Sequence, residues 1–147
     1  MKEDVLIKEV SFEEANKVNK EIPEFMPDYV ETRFKENCSG RETLIFVAYV
    51  NEKPAGYNIS YDKFGDESFY CWCAGVKPEF RRKGVLKKMM EYQEAWAKKR
   101  GYNKIKLKTH NKFKSMLSFL VKDGYYFTEI CPKEDIEENE VWAEKNI

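Results

Sequence analysis

Val76-Lys77-Pro78-Glu79-Phe80-Arg81-Arg82-Lys83-Gly84-Val85-Leu86 joins two runs of different hydrophobic period. Before it, Phe69 to Val76 is short and apolar, like a buried strand. After it, Val85 to Arg100 carries apolar residues at helical spacing. A strand, a short basic loop, a glycine and a helix, in that order, build a phosphate site. The first N–H groups of a helix have no partner within it. They carry the positive end of the helix dipole, so an anion docks there. Gly84 has no Cβ to keep a ligand off the backbone. Arg81, Arg82, Lys83 and Lys87 add side-chain charge beside the fixed dipoles. Neither GxxxxGK[ST] nor a GxGxxG after a strand occurs, so the common nucleotide motifs do not account for this loop.

At 147 residues, the chain is expected to form one domain, 1–147, with one core. No apolar run reaches the roughly 20 residues that span a bilayer. The start, Met1-Lys2-Glu3-Asp4, is charged and lacks an apolar signal region, so a cytoplasmic location and no membrane partner are expected. Cys71 and Cys73 share a strand face, but there is one histidine, His110, and no second cysteine pair at metal spacing. They read as structural cysteines, and no metal site is expected.

The formal net charge is zero but unevenly spread. Residues 77 to 115 hold fourteen Lys or Arg against three acids, a net +11, so the remainder carries −11. Such asymmetry points to an anionic partner for the basic half, either a nucleic acid or a small polyphosphate. The lysines from 104 to 108 alternate with core-type residues and the aromatics fall at core spacing. This argues against nucleic acid.

Val5 to Val10 reads as a first strand. Ser11-Phe12-Glu13-Glu14 is a capping box for a helix to about Lys20, closed by Pro23. Asp28 to Asn37 reads as a second helix, and Thr43 to Val50 as a strand. Asn51-Glu52-Lys53-Pro54 reads as a turn, then Tyr57, Ile59 and Tyr61 alternate with Gly56, Asn58 and Ser60. That pattern predicts a hairpin with one polar face. Ser68 to Val76 follows as a strand, and Val85 to Arg100 as a helix with Gly101 at its stop. Ile105 to Thr109 reads as a strand, Asn111 to Lys122 as a helix, and Tyr126–Ile130 and Val141–Ile147 as closing strands. The crossover around residues 69 to 109 should be right-handed and parallel. The fold class is therefore α/β: a mixed, mostly antiparallel sheet with helices on both faces.

Val76-x-Pro78-x-x-Arg81-x-x-Gly84-x-Leu86, followed by an amphipathic helix, resembles the acyl-CoA signature of the GNAT superfamily of N-acyltransferases, usually written [RQ]-x-x-G-x-[GA]. Leu86 stands where that signature has a small residue. A second segment, Thr109-His110-Asn111-Lys112-Phe113-Lys114-Ser115-Met116 ending in Gly124-Tyr125, resembles the superfamily's last motif. The element order matches as well, so the likeness covers nearly the whole chain. It implies acetyl-CoA as co-substrate. Its pyrophosphate would lie on the loop from Arg81 to Lys87, including Val85, and its pantetheine arm along a splayed strand at Ala74, Gly75 and Val76. Asn111 would lie beside the cofactor, and also reads as a helix N-cap.

The resemblance further implies acetyl transfer to a primary amine of a small molecule or peptide. An ammonium of pKa near 10.4 must first lose a proton. Relatives often carry a glutamate six residues before the signature valine and an acid tyrosine four before the final Gly-aromatic pair. Those places hold Tyr70 and Leu120 here. Tyr70 is the candidate catalytic residue, as the holder of a relay water. Glu67, His110 or water is the candidate base. Glu134 to Glu140 carries five acids, and such a rim would draw a cationic acceptor. The absent glutamate and tyrosine also fit a non-catalytic acyl-CoA sensor on the same fold.

Overall fold

Two β-branched and aromatic runs close on a two-residue turn at Asn51 and Glu52, both at positive φ. They become β2 (Thr43–Val50) and β3 (Lys53–Tyr61) of a computed structural model that describes residues 4–147. Met1, Lys2 and Glu3, part of the charged start, lie outside the described residues. The sequence suggested a longer turn, yet Lys53 and Pro54 already belong to β3. Pro54 is tolerated because the ladder from β3 to its other neighbour begins only at Gly56.

Around this hairpin stand β1 (Val5–Glu9), α1 (Phe12–Asn19), α2 (Pro27–Cys38), β4 (Ser68–Val76), α3 (Val85–Lys99), β5 (Lys104–His110), α4 (Lys114–Lys122), β6 (Tyr126–Cys131) and β7 (Glu140–Asn146). They form one seven-stranded sheet in the order β1-β2-β3-β4-β5-β7-β6. All neighbours are antiparallel except β4 and β5, which are joined through α3. The mixed, mostly antiparallel sheet expected from the sequence is thus the one found.

Each face of the sheet is covered by a pair of helices. Ala15, Val18 and Ile22 from the α1 region pack on Val47, Tyr57 and Ile59. On the other face Val85, Met89, Met90, Trp96 and Ala97 of α3, with Leu120 of α4, pack on Phe46, Ala48, Phe69, Ile105 and Leu107. The hairpin's supposed polar face is not exposed. Asn58 and Ser60 are fully buried and donate to Gln93 Oε1 of α3 at 2.9 and 2.6 Å. The buried glutamine thus ties α3 to β3, at the cost of leaving its own Nε2 without a partner among the described residues.

Ser11 Oγ accepts from Glu14 N at 3.2 Å, so Ser11 caps α1 as its position dictates, while the Glu14 carboxylate pairs with Lys17 at 3.1 Å. The helix expected from Asn111 begins only at Lys114, with Phe113 as its N-cap. Asn111 is therefore not the cap: its Nδ2 donates to Ile136 O at 3.2 Å and its own N–H to Asn139 O. No helix of the described residues is long and apolar enough to cross a membrane.

Candidate active site

The basic loop places its parts as the strand–loop–helix order requires. Pro78–Phe80 forms a single 3₁₀ turn, and the chain then passes through positive φ at Arg82 and again at Gly84 before α3 starts. Gly84 is the N-cap at φ +79°, a left-handed conformation that favours glycine. A Cβ there would meet nothing within 4 Å, so the glycine is required by backbone angle, and the space over it is open. Among the described residues no side chain caps this helix end. The first backbone amide to reach a helix carbonyl is that of Lys88, on Gly84 O at 3.2 Å. Those of Val85, Leu86 and Lys87 come before it and are left for a ligand. Leu86 packs against the core beneath α3, so its bulk points away from the open side.

Arg81 corrects the simplest reading of the loop, because it is not a mobile charge. Its Nε donates to Val76 O at 3.1 Å, and its Nη2 donates to Glu24 Oε2 at 2.6 Å. That hydrogen bond holds the Glu24 carboxyl below its usual range. Lys77 pairs in the same way with Glu21. Two ion pairs thus fasten the connection between α1 and α2 to the basic loop. Arg82 and Lys87 are exposed, and Lys83 lies 5.9 Å from the Phe80 ring centroid.

The strand before the loop leaves its neighbour. The β4–β5 ladder runs from Ser68↔Lys104 to Cys71↔Leu107 and stops, although β4 continues to Val76 and β5 to His110. The edge of β4 at Ala74, Gly75 and Val76 therefore has no strand beside it on that side. The stop coincides with an irregularity in β4 itself. Its register with β3 slips between Ile59 and Ser60, so Trp72 is a surplus residue, a bulge. Before it Phe69 and Cys71 face α3, whereas after it Cys73 faces the α1 side and Ala74 and Val76 face α3. Gly75 answers to close packing: a Cβ there would lie 2.3 Å from Phe25 of the α1–α2 connection.

Beyond Cys71 the face toward α2 is aromatic. Tyr70 is buried, with ring centroids of Tyr61, Phe64 and Trp142 at 5.7, 5.9 and 5.8 Å. Burial pushes its phenol far above the ordinary tyrosine range, so it is no base near neutrality. Its hydroxyl makes no hydrogen bond to the described residues. Leu120 is fully buried in the core and offers no acid. Among the bases the sequence suggested, Glu67 sits at the far end of β4, where it accepts from Asn103 Nδ2 at 3.0 Å. His110 ends β5 at the mouth of the split. Burial lowers its pKa against the opposing pull of Glu138, which keeps the imidazole neutral at pH 7. The acidic loop between β6 and β7 is less acidic than its sequence. Glu138 pairs with Lys112 at 2.6 Å and Glu140 with Lys108 at 3.1 Å. A groove of about 830 Å³ runs between the start of α1 and α2, and none of the signature residues lines it.

Sequence reasoning missed Glu24 as the partner of Arg81, and missed the cluster of Arg41, Lys63 and Phe64 near Tyr70. No local pattern announces either, since both depend on loops brought together by the sheet.

A family model described as the acetyltransferase (GNAT) family matches residues 11–125. Among solved structures, the ribosomal-protein-S18-alanine N-acetyltransferase of Escherichia coli superposes with TM-score 0.80 at 18% identity, over 98% of this chain and 94% of that one. The IAA acetyltransferase of Bacillus cereus ATCC 14579 gives 0.79 at 17%, over 98% and 100%. A Bacillus subtilis acetyltransferase in complex with CoA gives 0.74 at 19%, over 99% of each. At these identities the likeness is one of fold. No curated protein matches the chain by sequence.

Proposed function

The chain belongs to the GNAT family of acetyltransferases, and from that premise we propose that it transfers the acetyl group of acetyl-CoA to a primary amine in the split between β4 and β5. The observation that carries this reading is the end of the β4–β5 ladder at Cys71 and Leu107, directly upstream of an uncapped helix start. An extended pantetheine arm can pair with the free edge of β4 as an added strand would. The pyrophosphate then falls to the amides of Gly84 to Lys87, assisted by Arg82, Lys83 and Lys87. Asn111, on the β5 side of the split, faces the same cofactor. Arg81 serves by bracing the loop against Val76 and Glu24 rather than by touching phosphate.

Acetyl-CoA supplies an activated acyl group and a thiolate leaving group. The protein must orient the carbonyl, accept a proton and keep the amine neutral. A backbone N–H along Ala74–Val76 polarises the carbonyl and stabilises the charge that develops on its oxygen. The Tyr70 hydroxyl, with no hydrogen-bond partner among the described residues, holds a water beside the amine. His110, neutral at pH 7, is the base to which that proton is relayed. A free thiol has a pKa near 8.5, so the thiolate leaves without a dedicated acid, and Leu120 at the acid position is no obstacle. The unpaired cysteines Cys38, Cys71, Cys73 and Cys131 support a reducing, cytoplasmic setting for a single-domain enzyme.

The test is acetyl-CoA turnover over a panel of amines, read by thiol release. Turnover with at least one amine is expected. Tight acetyl-CoA binding with no turnover on any amine would replace the enzyme with an acyl-CoA sensor.

A further inference from the structure

Beside Tyr70 the loops after α2 and after β3 bring two cations together. The Arg41 guanidinium lies 5.7 Å from the Tyr61 ring centroid, and Lys63 Nζ lies 5.4 Å from that of Tyr70. Lys63 is also 5.8 Å from the Phe64 ring, and Lys108 sits 5.7 Å from the Trp142 ring on the same face. Between the loops is a shallow, open depression of about 340 Å³ whose lining includes Arg41, Lys63 and Phe64 together with Glu42 and Asp62.

The carboxylates nearby are already engaged. Glu42 receives Tyr102 Oη at 2.7 Å and Arg100 Nε at 3.3 Å, both from the α3 end on the opposite side of the loop. Asp62 accepts from Gly65 N and from Tyr102 Oη, both at 3.1 Å. Asp66 is taken by Lys106 and Ser68, Glu140 by Lys108 and Lys133. Among the described residues no carboxylate pairs with Arg41 or Lys63. Burial, then Lys108 and Arg41, depress the Lys63 pKa, so the ammonium is held where a positive charge is disfavoured. Adjacent like charges on an aromatic floor are stabilised by an anion placed between them.

We propose that the acetyl acceptor is a small anionic amine, in the simplest case an aromatic or apolar amino acid, whose oxyanion is received by Arg41 and Lys63 above the rings of Tyr61 and Tyr70. This rests on the reading that acetyl transfer takes place in the β4–β5 split. The ammonium end would point along β4 toward Ala74, and the apolar body would lie on Tyr70, Trp72 and Trp142. It also replaces the cationic acceptor suggested by the acidic loop, since Glu138 and Glu140 there are paired with lysines. Carboxylate and phosphate share this chemistry, and the test separates them.

The experiment compares matched amines as acetyl acceptors: L-tryptophan with tryptamine, L-phenylalanine with phenethylamine, and phosphoethanolamine with ethanolamine. In parallel, quenching of intrinsic tryptophan fluorescence reads binding of N-acetyl-L-phenylalanine and of N-acetylphenethylamine to the CoA-loaded protein. The anionic member should be favoured by about tenfold or more in kcat/KM or in Kd, the scale of one charge-assisted hydrogen bond. In an Arg41→Gln/Lys63→Met variant that ratio should collapse toward one through the acceptor KM, with the acetyl-CoA KM unchanged. Both residues are exposed, so the variant should fold. Preference for the phosphorylated pair would identify a phosphate as the anion, and preference for the amino acids a carboxylate. Equal or reversed preference in every pair and in the binding assay, with acetyl-CoA still bound, would overturn this proposal alone. Failure to bind acetyl-CoA at all would overturn the acetyltransferase reading beneath it.

Discussion

Tyr70 can be tested by removing one atom. Phenylalanine keeps the ring among Tyr61, Phe64 and Trp142 and deletes only the hydroxyl. Tyr70→Phe should lower kcat by about tenfold to a thousandfold, the range of a proton-relay contribution or somewhat below it. The acetyl-CoA KM should hardly move, because the amides proposed to hold the pyrophosphate lie on the next loop. Unchanged kcat at saturating amine from pH 6 to 9 would show the hydroxyl to be idle. Residues of this kind are legible in a sequence when the chain itself sets their place. Tyr70, Ala74 and Gly84 are fixed by their count from Val76. Arg81 was legible as a position but not as a role, since Glu24 lies 57 residues away in sequence and only the fold brings the two together. Asn111 was misread as a cap because it precedes a helical pattern whose first turn is spent elsewhere, on bonds to the β6–β7 loop.

At the scale of elements, the proposed phosphate site belongs to the start of α3 and to no single side chain. Calorimetry with coenzyme A and with dephosphorylated pantetheine should therefore differ by at least about a hundredfold in Kd, the loss of two or more charge-assisted hydrogen bonds. Equal affinities would mean that the basic loop is only a turn. The strands β2 and β4 were legible to the residue because both faces are buried and the runs are bounded by turn residues. Two features were not. The polar alternation of Asn58 and Ser60 signals an exposed face, and its burial depends on Gln93, which looked like an ordinary helix position. The surplus residue at Trp72 leaves no mark in composition, because a bulge changes which way residues point without changing which residues they are.

For the whole molecule, the segregated charge of the sequence is undone by the sheet. Lys104 meets Glu144 at 2.6 Å, Lys106 meets Asp66 at 2.8 Å, and Lys108 and Lys112 meet Glu140 and Glu138. Most of the basic strand is thus neutralised by acidic partners from the other half of the chain, which further weakens a nucleic-acid partner. The pairing also sets the response to acid. The hydrogen bond from Lys106, then that from Ser68, holds Asp66 well below its ordinary range. For Glu140, burial opposes the shift, but Lys108 prevails and lowers it. Their folded pKa values lie below the unfolded ones, so their contribution is complete above about pH 4 and is lost as pH falls through the folded values. Urea midpoints from pH 6 down to 2 should fall, and the fall should be shallower in Asp66→Asn. An identical slope in that variant would remove Asp66 from the account.

The bulge at Trp72 has a bearing on ancestry. A catalytic side chain can be gained or lost by substitution, but the opening between β4 and β5 coincides with a residue count: one more on β4 than β3 can match. Substitutions can tune what enters that opening without abolishing it. Deletion of a single residue in β4 is expected to put the strand back in step with β3. The trait is therefore inherited through length rather than chemistry. Descendants of this chain could drift widely in their side chains, while an insertion or deletion inside β4 would be the change least readily survived.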